Sequence, residues 1–337
     1  MLRRLLVLLV LLVVVLAGFG WWVHDRLNTP YRDFAGEEVF VSIPQGSSVS
    51  AIGSRLVAAG VLPDPWTFRL AARLTGADRK LQAGEYRFAG ETTPLVVIER
   101  LAAGDVYSLA LTFPEGQTVF EMAETFARSG LGTAKEFVGA ATDPALLAER
   151  GSGLRSLEGY LFPDTYPTPR TAGADDIVRG MLTRFDQIFT PELRAVAAER
   201  GWSVHQVLTL ASLIEKETAR ADERPIVAAV YLNRLKIDMP LQCDPTVVYA
   251  MMLARRWNGN IRKADLQITS PYNTYRVRGL PPGPIASPGR ASIEAALKPA
   301  DVSYLYFVSR NDGSHVFATT LDEHNRNVRQ WQGAARR

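Results

Sequence analysis

The sequence predicts an α+β protein carried on a single N-terminal transmembrane helix, and three observations lead there. Leu5 to Val23 is an unbroken apolar and glycine run without a charge. A strand, Pro-x-Gly turn and helix pattern starts at Val41 and starts again at Leu111. Farther on, a long helical stretch from Ser203 to Thr218 precedes a hairpin pattern between Tyr304 and Ala318. These features divide the chain into three parts. Residues 1–35 form a cytoplasmic stub, membrane helix and linker, residues 36–108 a small βααβ unit, and residues 109–337 a larger mixed α+β region.

The apolar run covers most of a bilayer's hydrocarbon core at a helical rise of about 1.5 Å per residue. Arg3 and Arg4 precede it and keep that end cytoplasmic, while Trp21 and Trp22 fall at the far interface where indoles settle. Everything after about Asp25 is then expected to face outward. A cleaved signal sequence is the competing reading, since Arg-Arg before Leu and Val also fits its charged and apolar regions. The run exceeds the usual core of roughly 7–15 residues and no small-x-small site follows, so a retained anchor is expected.

In the second part, Val41-Ser-Ile-Pro44-Gln-Gly46-Ser-Ser-Val49 parallels Leu111-Thr-Phe-Pro114-Glu-Gly116-Gln-Thr-Val119. Ser47 or Ser48 caps the first helix and Thr118 the second. Val49, Ile52 and Leu56, and then Val119, Met122, Ala123 and Phe126, recur at helical spacing, and Gly60 and Gly130 close the helices. A helix around Pro65 to Leu74, a strand at Gly84 to Phe88 and a further helix after Pro94 complete the first unit. Strand, helix, helix, strand in this compass resembles the LysM-type fold that binds N-acetylated glycans. A duplicated scaffold unit is the alternative, and the sequence leaves both open.

Composition excludes several classes. At 337 residues, length suggests about two domains, and 47% hydrophobic with 22% charged residues is ordinary globular usage. A net charge of +3 without a basic tract gives no reason to expect nucleic acid. The single cysteine, Cys243, excludes a disulfide framework and a thiolate zinc cluster. His24, His205, His315 and His324 have no HExxH-type spacing, so neither a metal nor another cofactor is expected.

The chemistry is expected in the third part. After Ser203 as cap, Val204, Val207, Leu210, Ala211 and Ile214 fill one helical arc, widened by Leu208 and Leu213. Lys216 points away from that arc, and Glu215 and Glu217 lie on its flanks. Periodicity does not choose between the two. It does put a carboxyl group beside apolar surface, where desolvation of the charged form raises the pKa and makes a general acid usable near neutrality. A solvated Glu-Lys-Glu helix end is the plainer reading of those residues alone.

Six ordered blocks go further. They are Glu158-Gly-Tyr-Leu-Phe-Pro163-Asp164-Thr165-Tyr166, Ala211-Ser-Leu-Ile-Glu215-Lys-Glu217-Thr218, Tyr231-Leu-Asn233-Arg234-Leu, Leu241-Gln242-Cys243-Asp244-Pro245-Thr246-Val-Val-Tyr249, Tyr272-Asn273-Thr274-Tyr275 and Gly279-Leu-Pro281-Pro282-Gly283-Pro284-Ile285. With them the chain resembles, over essentially its whole length, the endolytic peptidoglycan transglycosylases of the MltG or YceG-like family. The resemblance implies a lyase that cleaves the β-1,4 bond between N-acetylmuramic acid and N-acetylglucosamine without water. The muramoyl C6 hydroxyl closes a 1,6-anhydro ring, so one glutamate serves as acid and then as base. It selects Glu217, next to Thr218, over Glu215. Gln242, Asp244, Thr246, Tyr272, Asn273 and Tyr275 become substrate-binding candidates, with Glu158, Glu215 and Thr218 in support. It also implies glycan strands as substrate and cell-wall synthases as partners. Cys243 stands where the family pattern has Thr, which puts a hydrogen bond there in doubt.

Other readings remain. Glu158 or Glu215 as a second carboxylate would make a muramidase, and a catalytically silent glycan-binding protein is the rival from another class. Asp244 reads as the cap of a helix from Thr246 to Leu253, and the proline-rich stretch from Gly279 to Gly289 as a stiff wall of the cleft. His315 and His324 read as surface or packing residues.

Overall fold

The computed structural model describes residues 2–333. The chain separates into two compact units, one ending at Leu109 and the other beginning at Ala110.

The first unit opens with α1 (Leu2–Asn28), whose segment from Arg3 to Asn28 is long and apolar enough to cross a membrane. Its leucines and valines from Leu5 to Leu16 are exposed, while Leu27 at its end is buried in the core of the unit. Strands β1 (Glu38–Ile43) and β2 (Gly84–Ala89) pair antiparallel from Glu38 opposite Ala89 to Ile43 opposite Gly84. Alternation sends Val41, Ile43, Tyr86 and Phe88 to one face. Helices α2 (Val49–Ala58), α3 (Pro65–Leu74) and α4 (Pro94–Ala103) cover that face with Ile52, Leu56, Phe68, Ile98 and Leu101. Ser48, Asp64 and Thr93 cap the three helices, each accepting from the backbone N–H three residues on. Gly60 adopts φ +73, and a Cβ there would fall 2.2 Å from the Asp33 carbonyl oxygen, so no other residue fits that turn.

The second unit runs through β3 (Leu109–Thr112), α5 (Val119–Arg128), α6 (Ala134–Ala141), α7 (Pro144–Arg150), β4 (Thr165–Thr168), α8 (Ala174–Ile188), α9 (Pro191–Glu199), α10 (Val204–Glu217), α11 (Arg224–Lys236), α12 (Asp244–Leu253), α13 (Arg290–Leu297), β5 (Tyr306–Ser309), β6 (His315–Ala318) and α14 (Leu321–Trp331). Its strands form two two-stranded pairs, β3 with β4 and β5 with β6. Helices dominate, and α10 lies at their centre against α9, α11, α12 and α13. Ser203 caps α10 in a reciprocal capping box with Gln206. Every residue from Val207 to Ile214 is buried, so the one-sided stripe read from the sequence is in fact part of a helix enclosed on all sides through its middle.

Two expectations are corrected here. Helix α12 begins at Asp244 itself with Cys243 in the cap position and no side-chain cap, so the Asp244 carboxylate is not a cap. No residue of the proline-rich run borders the cleft that Glu217 borders. The run is an interior strap, buried from Gly283 to Gly289 and tied to α10 by the Ile285 N–H on Ser212 Oγ at 3.0 Å. Its Ser287 exchanges backbone hydrogen bonds with Gln117 and Gly116. Prolines suit such a strap because they carry no backbone N–H to satisfy. The hairpin forms as predicted, with Ser309 opposite His315 and Asn311 and Gly313 at positive φ in its turn.

Candidate active site

Glu217 is the last residue of α10, and Thr218 leaves the helix in an extended conformation. The chain turns away just where the carboxyl emerges from the apolar centre of the unit. There Glu217 meets a cleft of about 360 Å³ that is also bordered by Arg234, Gln242, Asp244, Tyr275 and His315. A larger concavity of about 670 Å³ beside Arg200, Trp202 and Lys236 contains none of the candidate site residues.

Burial holds the Glu217 carboxyl above the ordinary carboxylate range, against the opposing pull of the Cys243 thiol and Tyr231 hydroxyl; the nearby charge of Asp244 pushes it further up. The Tyr231 hydroxyl donates to Glu217 Oε1 at 2.8 Å. Cys243 is 1% exposed, and its thiol faces both the Glu217 carboxyl and Tyr231. A thiol therefore lies against the carboxyl at the position where the family pattern has a threonine hydroxyl.

The loop before α12 is locked to the Tyr272–Tyr275 segment. Gln242 takes a left-handed φ of 51 and donates its N–H to the Thr274 carbonyl at 3.1 Å. The Cys243 N–H donates to Thr274 Oγ1 at 3.0 Å, and the Thr246 and Thr274 hydroxyls bond each other at 2.9 Å. The Tyr275 hydroxyl donates to Asp244 Oδ1 at the mouth of the cleft. From α11, Arg234 donates to the carbonyls of Leu241 at 2.8 Å and Leu305 at 2.6 Å, which joins this loop to the hairpin.

Of the residues singled out from sequence, Glu217, Gln242, Asp244 and Tyr275 thus come together. Thr246 and Asn273 do not reach the cleft. Both are 0% exposed, and the Asn273 amide is spent on the carbonyls of Leu266 and Ile268 and on the Tyr275 N–H. Such internal bonding satisfies a buried amide and leaves nothing for a ligand. Tyr272 packs on Tyr249 at 5.0 Å between ring centres and is not among the residues bordering the cleft. Thr218 turns inward and donates to Glu223 Oε2 at 3.1 Å.

The two alternative carboxylates are engaged elsewhere. Glu158 is 4% exposed and accepts the Val119 N–H at the start of α5 on both oxygens at 3.1 Å, together with the Tyr249 hydroxyl. Burial pushes its carboxyl up to about 8 despite those bonds. The adjacent Gly159 has φ +81, and a Cβ there would lie 2.5 Å from Pro284, so the strap is what requires glycine in this block. Glu215 pairs with Arg224 at 3.4 Å and accepts the Gly289 N–H at 3.0 Å, fastening the end of the strap to α10.

Sequence reasoning missed Tyr231, Glu223 and the position of His315. Glu223 is 6% exposed and accepts from His315 twice, from Nδ1 at 2.6 Å and from the backbone N–H at 2.9 Å. Tyr231 stood in one of the quoted blocks without a role, and no spacing rule links Glu223 to a histidine 92 residues away. Among the described residues no three His, Cys, Asp or Glu side chains are grouped to hold a metal ion.

Known proteins are similar to this chain. The model of the YceG-like family matches residues 41–330. An endolytic murein transglycosylase of Bacillus subtilis (strain 168) is 34% identical over 329 residues, spanning 93% of this chain and 90% of that protein. An endolytic murein transglycosylase of Streptococcus pneumoniae serotype 2 is 32% identical over 356 residues, spanning 95% of this chain but 63% of the relative's length. A solved yceG-like protein of Listeria monocytogenes is 32% identical and superposes with a TM-score of 0.60, covering 86% of this chain and 98% of that one.

Proposed function

This chain belongs to the YceG-like family, and from that premise we propose that it is a peptidoglycan lytic transglycosylase, a lyase that cuts within glycan strands. It cleaves the β-1,4 bond between N-acetylmuramic acid and N-acetylglucosamine and leaves 1,6-anhydro ends. The observation that carries this reading is the Glu217 carboxyl, its pKa raised by burial, at the edge of a cleft and aimed by Tyr231. Glu217 gives its proton to the departing glycosidic oxygen as the muramoyl C6 hydroxyl attacks C1. An intramolecular nucleophile removes the need for a carboxylate that activates water. Glu158 and Glu215, which a muramidase would use, are held by α5 and by the strap. Asp244 adds negative charge beside the oxocarbenium-like centre, and Gln242 and Tyr275 offer polar contacts to the sugars.

The apolar helix anchors the protein in the inner membrane with its N-terminus cytoplasmic, because Arg3 and Arg4 precede it. The enzyme then acts in the periplasm on strands close to the membrane where they are made, trimming or ending them beside the synthases. The β1, α2, α3, β2 unit serves as a LysM-like glycan-binding module. Digestion of purified sacculi by the wild type and by Glu217→Gln, followed by mass analysis, tests the proposal. The wild type is expected to release fragments one water lighter than hydrolysed ends, and Glu217→Gln to release none while keeping its fold. Hydrolysed ends, or an active Glu217→Gln, would overturn it.

A further inference from the structure

Helix α1 does not stop where its apolar run does, and its last turn belongs to the core of the first unit. Resting on the reading of α1 as a membrane anchor, we propose that the outer face of α3, formed by Trp66, Arg69, Leu70, Arg73 and Leu74, lies in the headgroup layer of the same bilayer and binds anionic lipid there.

The two helices are joined by side chains on successive turns. Val23 packs against the core of the first unit, and Leu27 is buried in it. Arg26 lies 3.8 Å from the carboxylate of Asp64, the residue that caps α3, and its guanidinium covers the Trp22 ring at 5.8 Å. Trp22, one turn nearer the membrane, meets Trp66 at 5.5 Å between ring centres, and Phe19 stacks on Trp22 at 5.9 Å. Trp22 stands at the end of the apolar run, the depth at which indoles settle. Trp66 therefore shares that depth, and the pairing fixes which way α3 is turned. Asp64 meets α1 one turn, or about 6 Å, farther from the membrane than Trp66 does, so the side of α3 that carries Trp66 is its membrane-facing side. The segment after α1 is pinned to the unit as well, with Tyr31 bridged to Thr92 and the Asp33 N–H donating to the Gly60 carbonyl at 2.8 Å.

Helical spacing puts four more residues on that side. Arg69, Leu70, Arg73 and Leu74 follow Trp66 at intervals of three, four, seven and eight, while Thr67, Phe68, Ala71 and Ala72 are buried on the opposite side. Trp66, Arg69, Arg73 and Leu74 are exposed. No acidic residue occurs in α3, and among the described residues neither Arg69 nor Arg73 is in an ion pair. An indole and two leucines interleaved with two guanidinium groups suit a bilayer interface. The apolar groups enter the boundary of the acyl chains, and the long arginine stems let the charges reach lipid phosphates. The first unit then rests on the membrane surface and does not swing from its anchor, and glycan recognition falls to its other surfaces.

The full chain in lipid nanodiscs tests this. A nitroxide on Leu70→Cys, attached in the native state where Cys243 is buried, reports depth by its collisions with oxygen, which concentrates in acyl chains, and with a nickel chelate, which stays in water. In discs with about one-third phosphatidylglycerol, nickel collisions are expected to fall roughly threefold or more below those of the same label in the Arg69→Glu, Arg73→Glu variant. Both arginines are exposed, so that variant should melt with its parent. The Leu70→Cys protein alone supplies a second measurement, since its protection should weaken in discs of phosphatidylcholine only. A label equally open to nickel in both proteins, or protection indifferent to anionic lipid, would overturn the proposal. Protection that appears only when glycan fragments are added would assign the stripe to sugar and overturn it too. A full chain that alkaline carbonate washes from vesicles overturns the anchor reading and this inference with it. One that stays in the vesicles while the label at position 70 is open to nickel loses only the docking of α3.

Discussion

Tyr231 lies two turns into α11 and donates a hydroxyl hydrogen bond to Glu217 at the end of α10, across 2.8 Å. The two helices pack against each other, so the orientation of the carboxyl is set by helix packing and not by a loop. Sites on rigid elements hold their geometry better than sites on loops.

That bond stabilises the charged form of Glu217, so removing it raises the carboxyl's pKa further. Tyr231→Phe is therefore expected to move the alkaline limb of kcat/KM toward higher pH, because the acid stays protonated longer. The plateau should fall about tenfold as orientation is lost. A pH–rate profile on soluble glycan fragments checks this, and a limb that stays put or moves down contradicts it.

Glu158 gives a stability prediction. Its carboxyl lies at about 8 in the folded protein against an ordinary 4.5, with burial the cause. A raised folded value means that its contribution is fully present below about 4.5 and is lost as pH rises through about 8. The wild type should thus melt lower at pH 9 than at pH 5. Glu158→Gln, which imitates the protonated form, should narrow that gap by several degrees, roughly 2–4 °C for each kcal/mol. Equal gaps in calorimetry of the two proteins would refute it.

Gln242 occupies a left-handed backbone position that costs an ordinary residue about 1 kcal/mol or more, in a loop that borders the cleft. Glycine takes that conformation without strain. Gln242→Gly should leave the melting temperature unchanged or raised while weakening the enzyme, with the loss in KM more than in kcat. Lower stability with unchanged kinetics would mean that the side chain braces the loop and offers nothing to substrate.

Cys243 is buried between Glu217 and Tyr231, and burial followed by the Glu217 charge pushes its thiol well above the usual range. A thiol is nucleophilic only as thiolate. The native protein should accordingly resist iodoacetamide at pH 8 and react fully once unfolded. Cys243→Thr, which supplies a hydroxyl of similar size, should keep activity within about threefold. Rapid labelling of the folded chain would show that the site is open where the structure closes it.

Much of the frame was legible because it rests on short-range rules. Ser48, Thr118 and Ser203 cap where a hydroxyl precedes a periodic apolar run, and the hairpin follows from its Asn-Asp-Gly turn. The site was legible only in part. Periodicity left Glu215 and Glu217 equal, and it was the resemblance of the flanking Thr218 block that chose between them. Asn273 and Thr246 carry side chains suited to gripping sugars, yet both are buried, Thr246 bonding Thr274 from α12 and Asn273 the carbonyls of Leu266 and Ile268. Residue type does not reveal whether an amide is already satisfied.

By itself the sequence determined the apolar N-terminal helix, the caps, the helix that ends in Glu-Lys-Glu-Thr and the family to which these blocks point. Local hydrogen bonds and side-chain periodicity act over a few residues and are written along the chain. Only the tertiary structure decided that Glu215 fastens a strap, that Glu217 faces a cleft, and that Tyr231, Cys243 and the Glu223–His315 pair surround it. Those relations depend on which surfaces pack and which groups lose their water, and desolvation is a property of the assembled core and of no single segment.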